Sequence, residues 1–330
     1  MNSAARVTGA DVARAAGVSR ATVSYVLNDT AGQTIPEETR AKVRAAAEAL
    51  GYVPHMAGRT LRRGRSDLVV LLLPNWPVGP VVGEMIEQLS TAAANRRHTL
   101  AILRESEGPD ALASVVRTLA PAALVTLDTL PASILAVAEA NNIPIVAALH
   151  AVDEPEDDMT RSQRRIGHMQ VQHLAAQGHR RLAILYPEDE RVRVFADARR
   201  DGAIEACLDL GLESPDCLEL PLDRPRMRDA ALAWRGQGVT GVCAYNDEWA
   251  MGLLSGMAMV GLAAPADLAV VGCDDVPTAQ VASPPLTTIR QDMHLYATQT
   301  MDLVAQSLGE DVVPGRIDSS MYHLIVRESA

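Results

Sequence analysis

Between Thr8 and Asn28 the chain reads TGADVARAAGVSRATVSYVLN, a pattern that two short helices joined at one glycine satisfy and few other folds can. Thr8 can cap the first helix, and Asp11 at its third position can return the bond, as in a capping box. Val12, Ala15 and Ala16 then recur at helical spacing and set one small apolar face. Gly17 suits the positive φ of a helix stop, Ser19 can cap the next helix, and Val18, Val23, Val26 and Leu27 face inward. Arg20, Ala21, Thr22, Ser24, Tyr25 and Asn28 are left facing out. An arginine fork fits a guanine edge, an alanine methyl fits a thymine methyl, and short hydroxyls or an amide fit phosphate oxygens. Taken alone, the stretch reads either as a DNA-contacting helix-turn-helix or as an amphipathic hairpin with a solvated face.

The following residues favour DNA. Pro36 can open a third helix that carries Val43, Ala47 and Leu50 on one face and stops at Gly51. Val53-Pro54 restart the chain for a short segment with Met56, Ala57 and Leu61, followed by Arg62, Arg63 and Arg65. Residues 1–66 hold ten Lys and Arg against five Asp and Glu, whereas the remainder holds 20 basic and 36 acidic residues. The overall net charge of −11 therefore conceals a basic head on an acidic body, and the chain is basic only where a nucleic acid would lie.

Beyond Ser66 short apolar runs alternate with helical stretches. Leu68–Leu73, Thr99–Leu103, Ala122–Leu127 and Pro144–Ala148 read as buried parallel strands of one domain. A second set reads as strands near Leu182–Leu185, Gly241–Ala244 and Leu268–Gly272, with helices such as Val192–Leu210 and Glu248–Val260 between them. A chain of 330 residues, 48% hydrophobic, can support such a pair of doubly wound lobes. A lone nucleotide-binding enzyme is disfavoured, because no GxGxxG follows the first strand and no GxxxxGK[ST] occurs; GxSxG and HExxH are absent as well. Cys207, Cys217, Cys243 and Cys273 lack metal-ligand spacing and are read as free thiols without a function. With no cofactor motif, no metal site, no apolar run of membrane-spanning length and no signal-peptide stretch, a cytoplasmic, nucleoid-associated protein without cofactor, catalysis or membrane partner is expected.

DVARAAGVSRATVSYVLN, ETRAKVRAAAEALGYVP and the segment ending RTLRRGR resemble the lactose-repressor-type (LacI/GalR) family of bacterial transcription factors, densely over the first 66 residues and more loosely to the end. The resemblance implies a small all-α helix-turn-helix head with a hinge helix at about 54–64, joined to an α/β two-lobed periplasmic-binding-protein-like core of parallel doubly wound sheets. It places the head at 1–66, the first lobe at about 67–162 and 292–319, and the second at about 163–290 and 320–330. The later lobe crossings are expected near Arg290–Asp292 and Asp318–Ser320. The implied activity is repression from a pseudo-palindromic double-stranded operator by a homodimer, with affinity set by a small polar metabolite, a sugar or related compound. No heptad follows Val326, so a dimer without a tetramerising coiled coil is expected. DNA contacts are expected from Thr8, Ser19, Arg20, Ala21, Thr22, Ser24, Tyr25, Asn28, His55, Arg59, Leu61 and Arg62, with Leu61 as a wedge between central base pairs. Gly58 and His55 depart from the family's usual alanine and asparagine and suggest a hinge that folds less readily.

For the effector, the resemblance carries over Arg199 from an RxxG segment, together with Asn246 and Asp274 at strand ends. The alternatives are helix capping for Asn246 and Asp274 and a solvated helix face for Arg199; for Asp247 and Asp275, capping of the next helix is the preferred reading. Asn75, Trp76 and His150 are expected to complete the site from the first lobe. That half departs from the family. Leu149-His150 stand where an aspartate is usual, Ser162-Gln163 replace an Asp-Asn pair, and the paired phenylalanines after the first strand are absent. Either the ligand is less sugar-like and stacks on Trp76, or small-molecule control has been lost; the retained Arg199, Asn246 and Asp274 favour a changed ligand.

Overall fold

The computed structural model describes residues 7–27, 34–52, 66–104, 108–148, 158–315 and 319–330, and its contacts divide the chain into two units after Asp67. In the first unit α1 (Gly9–Ala16), α2 (Arg20–Leu27) and α3 (Glu37–Ala49) share a small core of Val12, Ala13, Val23, Val26, Val43 and Ala47. The Asp11 carboxylate accepts from both the Thr8 amide (2.9 Å) and the Thr8 hydroxyl (2.7 Å), which ties down the start of α1. Gly17 takes φ +66° and ends it, and the Ser19 hydroxyl accepts from the Thr22 amide (3.0 Å) to start α2. Two positions differ from the sequence expectation. Ala15 is exposed and Ala13 is buried in its place, because α1 packs on α2 and α3 together and presents a wedge centred on Val12 and Ala13. Leu50 follows the last turn of α3 and is exposed, beyond the reach of that core.

In the second unit β1 (Leu68–Leu73), β2 (Thr99–Arg104), β3 (Ala123–Thr126) and β4 (Ile145–Ala147) form a parallel sheet in the order β2-β1-β3-β4. A second parallel sheet runs β6-β5-β7-β8, from β5 (Leu182–Tyr186), β6 (Asp216–Glu219), β7 (Gly241–Ala244) and β8 (Ala269–Val271). The helices around them are α4 (Pro80–Asn95), α5 (Pro109–Leu119), α6 (Ala132–Ala140), α7 (Asp158–Ala176), α8 (Arg193–Asp209), α9 (Arg224–Gln237), α10 (Asp247–Ala258) and α11 (Met293–Ser307). Helices on both faces explain the unbroken apolar runs: Val69, Leu71 and Leu73 enter one core while Leu68, Val70 and Leu72 enter another. β6 escapes a reading by apolar runs because it is a half-buried edge strand, DCLE.

The chain passes between the lobes after β8. Val276, Ala279 and Leu286 belong to the second lobe's core, whereas Ile289, Met293, Tyr296 and Ala297 belong to the first lobe's. It then returns: β9 (Thr288–Gln291) pairs antiparallel with β10 (Tyr322–Ile325), and the Val270 amide donates to the Ser329 carbonyl (2.8 Å) beside β8. The connection after β4, with Leu149 and His150, lies in 149–157, outside the described residues, as does the expected hinge helix.

Candidate functional site

Within the head, the outward face of α2 is built as its pattern suggests. Arg20 and Ala21 are exposed and Thr22, Ser24 and Tyr25 are half-buried, on a helix anchored through Val23 and Val26. Thr8 and Ser19 are exposed at the starts of α1 and α2, with their hydroxyls engaged in capping and, for Ser19, with Thr22 (2.9 Å). Asn28, His55, Arg59, Leu61 and Arg62 fall outside the described residues.

The body holds a cavity of about 280 Å³ between its lobes. Trp76, beyond the end of β1, turns its ring inward and meets Phe195 of α8 edge-on, ring centres 4.7 Å apart. Tyr245, after β7, meets Trp249 of α10 in the same way at 5.9 Å. Arg199 lies beneath them, only 7% exposed. Its guanidinium stacks 4.8 Å over the Tyr245 ring, donates to the Gln163 side chain (2.6 Å) and the Tyr245 carbonyl (2.6 Å), and stands 3.9 Å from Asp274. A solvated helix face is therefore excluded for Arg199, since burial without such partners would be prohibitive for a cation.

A close helix crossing makes this arrangement possible. A Cβ added at Gly202 would lie 2.1 Å from the Arg164 carbonyl, and one added at Gly167 would lie 2.0 Å from the Arg199 carbonyl. Only glycines let α7 and α8 approach so closely, and one turn away the same approach joins Gln163 to Arg199. Gly202 is the glycine of the RxxG segment; its partner Gly167 stands in no such motif, and the signal for it in the sequence is a glycine inside a helical pattern.

At the exit of β8 the backbone is strained, with Asp274 at φ +113° and Asp275 at φ +53°. The Asp274 carboxylate accepts from Gln291 (3.3 Å) and the Cys273 thiol (3.3 Å). Burial raises its pKa, opposed by Arg199. Asn246 does two things: its side-chain oxygen caps α10 through the Trp249 amide (3.1 Å), and the residue also lines the cavity.

Three expectations are corrected. Asn75 is exposed and absent from the cavity wall; its neighbour Trp76 turns inward, and Arg104 binds the Asn75 side chain and the Trp76 carbonyl (2.8 Å). Asp275 caps no helix but pairs with Arg327 at 2.5 Å, because the chain's return beside β8 brings that arginine to it. Asp247 is fully buried as the first residue of α10, where its carboxylate accepts from the Thr288 hydroxyl (2.6 Å) and the Val276 amide (2.9 Å).

Burial pushes the Asp247 carboxyl up to about 7, against the two hydrogen bonds. Its folded form thus favours the neutral acid, a contribution that is whole below about pH 4 and lost as pH rises through about 7. Asp247→Asn preserves one donor and one acceptor at this position. The melting temperature of the variant relative to wild type is expected to increase from about pH 5 to about pH 8 in calorimetry; a constant difference would contradict the assignment.

Residues 9–55 match the profile of bacterial regulatory proteins of the lacI family, and residues 171–330 match a periplasmic binding protein-like domain. The chain belongs to the LacI family. Among its relatives are the transcriptional repressor PurR of Photobacterium profundum, 26% identical over 97% of both chains, and the transcriptional regulator GalR of Escherichia coli, 28% identical over 89% of this chain and 87% of that protein. The fold is shared with the lac repressor dimer bound to operator and the anti-inducer ONPF, at a TM-score of 0.75, 24% identity and coverage of 98% and 99%. A CelR–cellobiose complex aligns at a TM-score of 0.65 and 25% identity, over 98% of this chain and 100% of that one. As a LacI-family member the chain is a DNA-binding transcriptional regulator with a helical head and an α/β body.

Proposed function

We propose that this LacI-family protein represses transcription as a homodimer on a pseudo-palindromic operator, and that a small molecule in the interlobe cavity sets its operator affinity. The observation that carries the reading is the cavity itself, whose wall comes from both lobes: Trp76, Val82 and Met293 on one side, Arg199, Tyr245 and Trp249 on the other. A molecule bridging such walls stabilises one lobe arrangement over others, which is the differential affinity that any ligand-driven switch requires. A coupling of ~1–3 kcal/mol to DNA binding follows for typical regulators. Arg199, Asn246, Asp274 and Trp76 are the ligand contacts in this reading, and residues 1–66 and 67–330 are the output and input parts. Paired and capped as they are, the cavity's polar groups suit retention of a ligand rather than its turnover. A regulator of the same fold without small-molecule control would have no use for a strained Asp274 and a buried Arg199 at an open cavity.

On the DNA side, Arg20 is assigned to a guanine edge in each half-site. Arg20→Ala is expected to remove preference at one position per half-site, at a cost of ~1–3 kcal/mol, in selection from randomised duplexes. An unchanged consensus would sink the assignment. Retention of an operator-bearing duplex, titrated with fractionated metabolites, tests the coupling.

A further inference from the structure

The chain contains only ten aromatic residues, and six of them, Trp76, Phe195, Tyr245, Trp249, Tyr296 and Tyr322, line this one cavity. Concentration of that kind bears on the chemistry of the ligand. Pro77, Pro80, Val81, Val82, Met85 and Met293 make a continuous apolar part of the first-lobe wall, with no hydrogen-bonding side chain among them, while Ser162 and Gln291 line the cavity elsewhere. Polar groups gather at the opposite end, and they are largely engaged with one another. Gln163 and the Tyr245 carbonyl hold two nitrogens of Arg199, Trp249 takes the Asn246 oxygen, and Gln291 and Cys273 hold one oxygen of Asp274. At this end the Asn246 amide NH₂, one Arg199 nitrogen and one Asp274 oxygen are left among the described contacts to meet a ligand, and the Tyr296 hydroxyl is buried without a partner elsewhere on the lining.

We infer that the ligand, in the regulator reading above on which this rests, is an aryl compound: one or two planar rings with its few polar groups at a single end. A saccharide carries hydroxyls around its whole perimeter, and a nucleobase carries polar edges likewise. Each such group pressed unpaired against the Trp76–Met85 wall gives up its hydrogen bonds to water with nothing in exchange. Aromatic rings, by contrast, gain from edge and face contacts with Trp76 and Phe195. The volume, about 280 Å³, sits at the small end of ligand sites and suits a compound of this size. Charge selects further. Asp189 pairs with Arg191 and Asp274 faces Arg199, so Glu248, exposed on the cavity wall, tilts the site against an added carboxylate. The polar end is therefore a neutral hydroxyl, aldehyde or amide rather than an acid.

The test uses the full-length protein with four probe sets: benzyl alcohol, benzaldehyde and benzamide; benzoate; hypoxanthine and adenine; glucose, galactose and cellobiose. Titration calorimetry and tryptophan quenching are read together, because Trp76 and Trp249 face the cavity while Trp234 lies apart, bonded to Asp216. Binding by a neutral aryl probe is expected, weakened about tenfold by Phe195→Leu and by Val82→Asn, the second of which puts an amide into the apolar wall without removing an aromatic. Saccharide or nucleobase binding without aryl binding overturns the aryl class and leaves the regulator reading standing. Binding of benzoate above its neutral relatives overturns the charge argument, and aryl binding untouched by both substitutions overturns the site. Failure of all four sets overturns the aryl class; if fractionated metabolites also leave operator retention unchanged, the ligand-responsive reading falls with it.

Discussion

Gly202→Ala is expected to destabilise the body by roughly 3 kcal/mol, although alanine is the better helix former by about 1 kcal/mol. The sign is reversed because the new methyl would meet backbone: the Arg164 carbonyl at 2.1 Å and the Arg164 Cα at 2.6 Å. No side chain can rotate away, so α7 and α8 must part. Gly167→Ala meets Arg199 and Ala203 backbone atoms at 2.0 and 2.7 Å and should behave alike. Gly83→Ala in α4 and Gly236→Ala in α9 meet nothing within 4 Å and should be neutral or stabilising by about 0.5–1 kcal/mol. Thermal melts of the four variants separate crossing glycines from ordinary ones; equal behaviour of all four would refute the close crossing. Loss of ligand-dependent stabilisation should accompany the two crossing variants, since Arg199 and Gln163 are joined one turn away.

Arg199→Met has the second largest expected effect, at about 2–4 kcal/mol. The substitution keeps much of the side chain's volume but leaves the Asp274 carboxylate buried without the cation that faces it at 3.9 Å. Burial already raises the pKa of Asp274, and Arg199 is the group that opposes this most. Without it the neutral acid is favoured further, so the deficit of the variant should deepen as pH rises from about 5 to about 8. Adding Asp274→Leu should restore part of the loss, because the stranded charge is then gone. In both proteins an effector that stabilises wild type should no longer do so; full retention of that response would remove Arg199 from the binding site.

Much of this molecule is written in local periodicity. The capping pair Thr8 and Asp11, the stop at Gly17 and the apolar faces of α2 and α3 depend on residues within a few positions of one another, so the head is legible from the order of its residues alone. The strands β1 and β7 appear at their expected bounds for the same reason: buried on both faces, they leave unbroken apolar runs. β6 does not, being a polar-ended edge strand.

The sequence by itself determined a basic helix-turn-helix head, an acidic body of alternating strands and helices, and the residue types at the strand ends. Only the tertiary structure decided what those strand-end residues do. Arg327 claims Asp275 across 52 residues, Gln163 fastens Arg199 across 36, and Thr288 holds Asp247 across 41. Six aromatics drawn from five separate stretches of chain converge on one cavity. The physical reason is range. Helix and strand formation draws on neighbours a few residues apart, whereas a buried charge or a ligand wall is made by whichever distant elements the lobe crossings bring together.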